Sequence, residues 1–159
     1  MVHTQFKKYF LILFCFISIN VFSQTIYLGN SYHQSDIVFT IKNNTIYKGN
    51  STYQSNIIAV FDGMYLYAGR SKYSNDILLK YSNGKIYRGR SNYNSDIVAN
   101  YCSSKLYKGN SSYTNDIIAT ILNNKIYNGN SYYSSDIVFR STGYVHPLII
   151  YYLLINILF

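Results

Sequence analysis

The chain repeats itself every 20 residues, and this repeat constrains the fold more than any other feature of the sequence. Six units follow one another up to residue 145 without insertion or deletion, and their first residues are Ile26, Ile46, Leu66, Ile86, Leu106 and Ile126. Every unit has Tyr at its second position, Gly at its fourth and Ser at its sixth. The eleventh residue is Asp in all units but the second, which carries Asn56. Such a period is typical of folds that stack one small unit or arrange it in a ring.

Each unit is predicted to supply the two strands of a β-hairpin. The stretch DIVFTI in the first unit is apolar and β-branched with partial alternation, which is typical of a half-buried strand. A pair such as Asn43-Asn44 follows and tolerates positive φ, as a tight hairpin turn requires. The short strand TIYKG then returns, and eight residues from Gly to Asp, such as 29–36, form an outer connection. We expect the Gly to have positive φ, the Ser and Asp to hold the connection through backbone amides, and no helix inside the repeats.

The fold class predicted from these hairpins is all-β. A lone hairpin is marginal in water, so the six units must bury their apolar faces against one another. Stacking would leave two ends that need caps, whereas closure would remove every free edge. The units include no distinct polar cap. This absence favours six tandem hairpins in a closed or radial arrangement over residues 24–145.

The two ends of the chain differ from the repeats. Residues 1–23 have the form of a secretory signal peptide: basic Lys7 and Lys8, an apolar run over 9–21, and small Ser23, after which we predict cleavage. Cys15 would leave with this signal, so the exported chain would keep Cys102 alone and form no internal disulfide. Residues 146–159 are apolar, and Pro147 suits the first position of a helix. This segment either plugs the repeats, associates peripherally with a membrane, or forms an interface with another chain.

The repeated motif IYxGNSxYxSDI, after a signal that ends in FSQ, resembles the β-flower repeat proteins of exported bacterial origin, particularly the four-fold type. The resemblance covers residues 26–145. It implies short hairpins arranged radially about an axis, with no established activity and no catalytic residues. A weaker similarity links the units to the hairpin repeats of cell-wall-binding modules, which use Trp in their ligand sites, whereas this chain has none.

Composition argues against an enzyme. The chain has six Asp, no Glu and three His, and it shows no metalloprotease, nucleophile-elbow or phosphate-loop motif. We therefore predict no catalysis and no cofactor. The Asp at the eleventh position of five units could form a cation site if a ring brought them together, but capping of each connection explains the same spacing, so we predict no metal. The five are Asp36, Asp76, Asp96, Asp116 and Asp136.

Aromatic and basic residues supply the candidate binding site. The chain has 20 Tyr and a net charge of +8. The second-position tyrosines are predicted to pack between repeats, and the eighth-position tyrosines either pack in the same way or form a platform for sugar rings. Basic residues concentrate in units three and four, as a solvated face or as a patch for an anionic partner. The predicted binding residues are Tyr53, Tyr73, Tyr93, Tyr113, Tyr133, Arg70, Arg88 and Arg90.

These features predict an exported, non-catalytic structural or interaction module of the bacterial envelope. The alternative is a carbohydrate or cell-wall binding module that uses the eighth-position tyrosines. A polysaccharide or another envelope component is the expected partner, with no nucleic acid because no recognised motif occurs. The final compartment is left open between the periplasm, the outer surface and the extracellular medium.

Overall fold

The computed structural model describes residues 23–157, which form a closed antiparallel barrel of twelve strands and one helix. The predicted signal cleavage falls at the edge of this range, and residues 1–22 lie outside it. The helix α1 covers Pro147–Ile157. The strands are β1 (Ser23–Leu28), β2 (Ile37–Lys42), β3 (Thr45–Lys48), β4 (Ile57–Phe61), β5 (Tyr65–Ala68), β6 (Ile77–Ser82), β7 (Lys85–Arg88), β8 (Ile97–Cys102), β9 (Lys105–Lys108), β10 (Ile117–Leu122), β11 (Lys125–Asn128) and β12 (Ile137–Ser141).

Closure joins the first strand to the last. Each strand pairs with its neighbours along the chain, and β1 also pairs with β12, where Ile26 lies opposite Ser141 and Leu28 opposite Phe139. This pair has the same register as the hairpin of β2 and β3, in which Ile46 lies opposite Ile41. The first and last strands therefore form a sixth hairpin that lacks a turn. The predicted closed arrangement of six hairpin units is confirmed.

Four of the five hairpin turns have the backbone that their residues predicted, whereas in the turn after β4 Gly63 has a φ of 106° and Asp62 does not have positive φ. Asn43 and Asn44 have φ of 50° and 60°, and Asn83 and Gly84 have 51° and 78°. Two successive residues with positive φ are the signature of the type I′ turn, whose twist matches that of the flanking strands. We call the side of the barrel where these turns lie the hairpin-turn end, and the opposite side, where residues 29–36 and their equivalents lie, the connection end.

Each outer connection begins at a glycine with positive φ and contains one short 3₁₀ turn. Gly29 has a φ of 62°, as expected, and the first 3₁₀ turn spans Gln34–Asp36. The expectation that no helix fits inside the repeats is wrong at this scale, because a three-residue turn brings the chain back into the next strand. Within the described residues the repeats contain no α-helix.

A β-bulge interrupts the pairing beside every outer connection. In the first unit Ile26 faces Phe39 and Tyr27 faces Ile37, so Val38 is an extra residue on β2. A bulge breaks the alternation of side chains between the two faces of a sheet. Val38 and Phe39 both contact the barrel interior as a result. The equivalent extra residues are Ile58, Leu78, Val98, Ile118 and Val138.

The interior of the barrel is apolar but not six-fold symmetric. The first residue of every unit is buried in it, and Ile46, Leu66, Ile86 and Leu106 are fully inaccessible. One level of the wall is occupied by side chains of very different size, because three large residues alternate irregularly with three alanines. They are Phe39, Ala59, Leu79, Ala99, Ala119 and Phe139.

Helix α1 fills this interior. It begins at Pro147, as predicted, and Leu148 and Leu153 are at most 1% exposed against the core. An 11-residue helix is about 16 Å long. A six-residue strand of about 20 Å, tilted by about 40°, gives a wall of about 15 Å, so the helix matches the height of the barrel. The position of the helix is that of a plug.

The helix runs from the hairpin-turn end to the connection end. His146, just before it, contacts the rings of Phe61 and Tyr81, which lie beside hairpin turns. Tyr152 and Asn156, near its other end, line grooves together with wall residues beside the outer connections, such as Ile58. Within residues 23–157 no helix has the length and apolar character needed to cross a membrane.

The hairpin turns provide a first test of the fold. A Cβ at Gly84 would lie 2.9 Å from the carbonyl oxygen of Tyr101, whereas one at Gly69 would meet nothing within 4 Å. Both glycines have positive φ, so Gly69→Ala should lower the free energy of unfolding by about 1 kcal/mol. Gly84→Ala should cost about 1 kcal/mol more because the backbone must also move. Urea unfolding measures both, and equal losses would contradict the described turn.

The plug provides a second test. Leu153 is 1% exposed, whereas Ile155, two residues further along the same helix, is 37% exposed. Leu153→Ala should destabilise the protein by about 2–5 kcal/mol, since it leaves a cavity in the core. Ile155→Ala should cost about 1 kcal/mol or less. Thermal unfolding with a circular dichroism readout checks both, and a reversed order would place the helix outside the barrel.

Candidate functional site

The outer connections are held by a hydrogen-bond network that repeats from unit to unit. In the fifth unit the Ser111 hydroxyl donates to Asp116 Oδ2 at 2.5 Å, and Ser111 Oγ accepts from the Tyr113 backbone N–H at 3.1 Å. We expected the aspartates to cap backbone amides, but their carboxylates bind the serine hydroxyl instead. Because the same serine oxygen accepts the tyrosine N–H, the aspartate restrains the tyrosine backbone through the serine. The same serine–aspartate pair occurs as Ser31–Asp36, Ser91–Asp96 and Ser131–Asp136.

Two variations in this network show how it works. In the second unit Asn56 donates from Nδ2 to Ser51 Oγ at 2.7 Å, so the bond survives with its direction reversed. In the first unit the Ser31 hydroxyl, as the largest influence, holds the pKa of Asp36 below its ordinary value. A carboxylate that accepts hydrogen bonds favours its ionised form. The eleventh position therefore does not require an acid, and in the third unit the Tyr73 backbone N–H donates to Ser71 Oγ at 3.0 Å although Ser71 has no hydrogen bond to Asp76.

The aspartates are not gathered into a cation site. Among residues 23–157 no three His, Cys, Asp or Glu side chains come close enough together to hold a metal ion. Each aspartate of the series lies in its own connection. The ring spreads these carboxylates around its circumference, because the repeat that makes them equivalent also keeps them apart.

The two tyrosine series have different environments. Tyr67 and Tyr127 of the second-position series are 7% and 6% exposed, which agrees with the predicted packing role. The eighth-position series is 75% to 79% exposed, so it is not a packing ladder. Five phenol rings are thus displayed to solvent, one on each connection from the second to the sixth, with His33 in the equivalent place on the first. We call this set, Tyr53, Tyr73, Tyr93, Tyr113 and Tyr133, the tyrosine ring.

Polar side chains on the outer face of the long strands tie the connections to the wall. Thr40 Oγ1 donates to the Gly49 carbonyl at 2.9 Å, and Thr120 Oγ1 donates to the Gly129 carbonyl at 2.8 Å. At the same position Lys80, which is 7% exposed, donates from Nζ to the side chain of Asn92. These bonds tie the outer connections of units two, four and six to the wall.

The structure separates the predicted basic residues. Arg70 and Arg90 lie on the outer connections of units three and four, and Arg70 Nη1 donates to Gln54 Oε1 at 2.8 Å. Arg88 instead ends strand β7 and lines a groove beside Tyr151 of the helix. The first two accompany the tyrosine ring, whereas Arg88 belongs to another surface.

That second surface is the opening at the connection end, where helix α1 emerges from the barrel. Lys48 and Lys108 line grooves there, as Arg88 does, and all three occupy the third position of their units. Arg88 was among the binding residues predicted from the sequence, but the two lysines were not. The sequence does show that all three basic residues occupy the same position of the repeat. Only the structure shows that this position lies at the opening of the barrel.

At the hairpin-turn end, His146 holds the start of the helix. The Leu148 backbone N–H donates to His146 Nδ1 at 3.2 Å, in the manner of an N-cap. The ring centroids of Phe61 and Tyr81 lie 4.7 Å and 4.6 Å from that of His146. Burial lowers the pKa of His146, because a buried imidazolium loses its hydration. The neutral ring is therefore the form that fits this site.

Comparison with known proteins identifies a family. A family model described as a 6-fold beta flower protein matches residues 14–104 and, in an overlapping second alignment, residues 74–147. The two alignments together span the six units. The resemblance to β-flower repeat proteins is confirmed, and the type is six-fold rather than four-fold. No curated protein and no solved structure matches the chain significantly.

The histidine site predicts a dependence of stability on pH. Because the pKa of His146 is lower in the folded protein, the unfolded chain takes up a proton first as the pH falls through its ordinary value of 6.5. The free energy of unfolding should therefore decrease between pH 7.5 and pH 5, where carboxylates with an ordinary pKa near 3.9 stay ionised. Urea unfolding at several pH values measures this change.

Two variants separate His146 from other causes. His146→Asn keeps a side-chain acceptor for the helix N-terminus without a titrating ring, so the slope between pH 7.5 and pH 5 should flatten. His33→Asn, on the first connection, is the matched control for the loss of a histidine, and equal flattening in both variants would contradict the assignment to His146. An unchanged slope in His146→Asn would contradict the assignment.

Proposed function

The chain belongs to the 6-fold beta flower protein family, and from that premise we propose that it is an exported, non-catalytic interaction module of the bacterial envelope that binds polysaccharide through the tyrosine ring. The observation that carries the proposal is the exposure of the five rings at 75% to 79%. Aromatic rings left in water at equivalent places of a repeat make no contribution to the core. Their recurrence is explained by a ligand that they contact.

A sugar is the ligand class that suits such a surface. A phenol ring combines a flat apolar face with a polar edge, and this matches the apolar face and hydroxyl rim of a pyranose. Fixing a tyrosine also costs little conformational entropy, since it has two side-chain torsions. The backbone N–H of each tyrosine donates to the serine hydroxyl of its own connection, so the tyrosine is held in advance and the entropic cost of binding is lowered further.

The arrangement of the rings favours a polymer over a single sugar. Equivalent residues of successive units are separated by at least two strand spacings, about 10 Å. One polysaccharide chain, or several chains in a wall, can therefore reach more than one tyrosine at a time. Weak contacts at separate sites then add to a much stronger overall attachment. The exposed arginines beside Tyr73 and Tyr93 would add affinity for acidic sugars.

Export and the lack of catalysis complete the proposal. Cleavage after Ser23 would leave Ile26 to Leu28, the residues of β1 that pair with β12, so removal of the signal is compatible with barrel closure. The beta flower family is not a known enzyme family. In four of the connections the serine and aspartate side chains are hydrogen-bonded to each other, which suits a structural role for them.

The test removes the rings and measures retention by a polysaccharide. Tyr73→Ala, Tyr93→Ala and Tyr113→Ala, combined in one variant, should reduce co-sedimentation with isolated cell wall and lipopolysaccharide by about tenfold or more, because stacked rings contribute about 1 kcal/mol each. The melting temperature should change little, since the rings are exposed.

The matched control changes the same three residues to Phe. The stacking face is kept, so retention should stay close to that of the unchanged protein at both low and high salt. If the Ala variant is retained as well as the unchanged protein, the tyrosine ring is not the binding surface and a purely structural role is left. If the Ala variant does not fold, these tyrosines stabilise the structure by packing and the proposal is contradicted.

A further inference from the structure

Three grooves surround the second half of helix α1 at the connection end of the barrel. Their volumes are about 540, 440 and 340 Å³, and such volumes are typical of sites for small molecules. The walls are apolar: Ile58 and Val98 from the β-bulges face Tyr151 and Ile155 of the helix. The bulges create this lining, because without them these residues would point to the outside of the sheet.

Each groove contains one basic side chain. Arg88 lines the largest, Lys108 the second and Lys48 the third, and no acidic side chain lines any of them. All three side chains are exposed at the rim. Among the described residues, none of the three forms a salt bridge or a side-chain hydrogen bond. Each groove is therefore apolar within and positively charged at its edge.

We propose that these grooves bind a single-chain anionic amphiphile of the long-chain fatty acid type. Its alkyl chain would lie against Ile58, Val98 and the helix, where each buried methylene contributes about 0.8 kcal/mol in water. Its carboxylate would bind at the rim to Arg88 or to one of the two lysines. A carboxylate matches the planar fork of arginine particularly well. The basic side chains at the rim favour an anionic ligand, and the apolar walls favour a ligand with an alkyl chain.

The site is independent of the tyrosine ring. The tyrosines lie on the outer connections, whereas the grooves lie inside the rim between the wall and the helix. A fatty acid could therefore bind whether or not the protein binds polysaccharide. The surrounding apolar residues Leu28, Leu78 and Ile157, which are 37% to 50% exposed, would be partly covered by the bound chains.

The first experiment uses the exported form of the chain and a series of ligands. Isothermal titration with dodecanoate, kept below the concentration at which it forms micelles, should give saturable binding. Dodecyltrimethylammonium has the same chain with a positive head, and acetate has the head without the chain, so both should bind at least tenfold more weakly. Equal binding of the cationic amphiphile would overturn the proposal, because the rim charges would then not distinguish an anionic from a cationic head group.

The second experiment compares two variants of equal charge. Lys48→Gln, Arg88→Gln and Lys108→Gln, combined, remove the rim cations and should weaken dodecanoate binding about tenfold. Arg70→Gln, Lys72→Gln and Arg90→Gln, combined, remove the same net charge from the outer connections and should leave the affinity within about twofold. Equal weakening in both variants would show a general charge effect and overturn the assignment to the grooves.

A membrane surface is the competing partner, and it gives a different result. Adsorption to phosphatidylglycerol vesicles without any binding of monomeric dodecanoate would replace the groove site by a peripheral membrane contact. Polysaccharide retention of the rim variant should equal that of the unchanged protein, so failure of this proposal and failure of the proposed function are distinguishable.

Discussion

The interior width of a twelve-stranded barrel is the constraint on which the rest of this structure depends. About eight strands leave just enough room for side chains to fill the inside, and a wider ring needs something more. Here the additional component is helix α1, whose buried leucines and isoleucines pack against the first residue of every unit. We expect neither part to be stable alone, because the empty ring would expose its apolar lining and the helix would expose its buried leucines and isoleucines. The repeats and the C-terminal segment therefore form one cooperative unit.

Because the ring needs a single helix to fill it, the outside of the barrel is symmetric and the inside is not. The outer connections repeat one hydrogen bond in all six units, from the backbone N–H of the eighth residue to the serine hydroxyl, and five of them present a tyrosine in equivalent places, as a module for a repetitive ligand requires. The inside cannot keep that symmetry, since a single helix has none. Phe39 and Phe139 share one level with Ala59, Ala99 and Ala119, and the alanines supply space that the larger residues take away. The grooves beside the helix are a result of the same mismatch.

Much of the fold could be predicted from the sequence because its signals are local. The pair Asn43-Asn44 and the glycine at the fourth position specify positive φ without reference to anything distant, and Pro147 marks the start of the helix. The Ser31–Asp36 bond was not foreseen in its true form, since five residues separate the partners and only the 3₁₀ turn brings them together. The importance of Lys48 and Lys108 was also hidden, because the sequence does not reveal where the bulges redirect the wall residues.

The seam between β1 and β12 has a consequence for how the chain folds. All other strand pairs join neighbours along the chain, so they can form early and independently, as contacts of low sequence separation do. At the seam, Thr25 and Thr142 are hydrogen-bonded across 117 residues. The entropy lost in closing a loop increases only with the logarithm of its length, so this one distant contact adds a few kcal/mol to the cost of folding at most. Until it forms, both outermost strands expose unpaired backbone, and the nascent ring is an open sheet that can add a strand from another molecule.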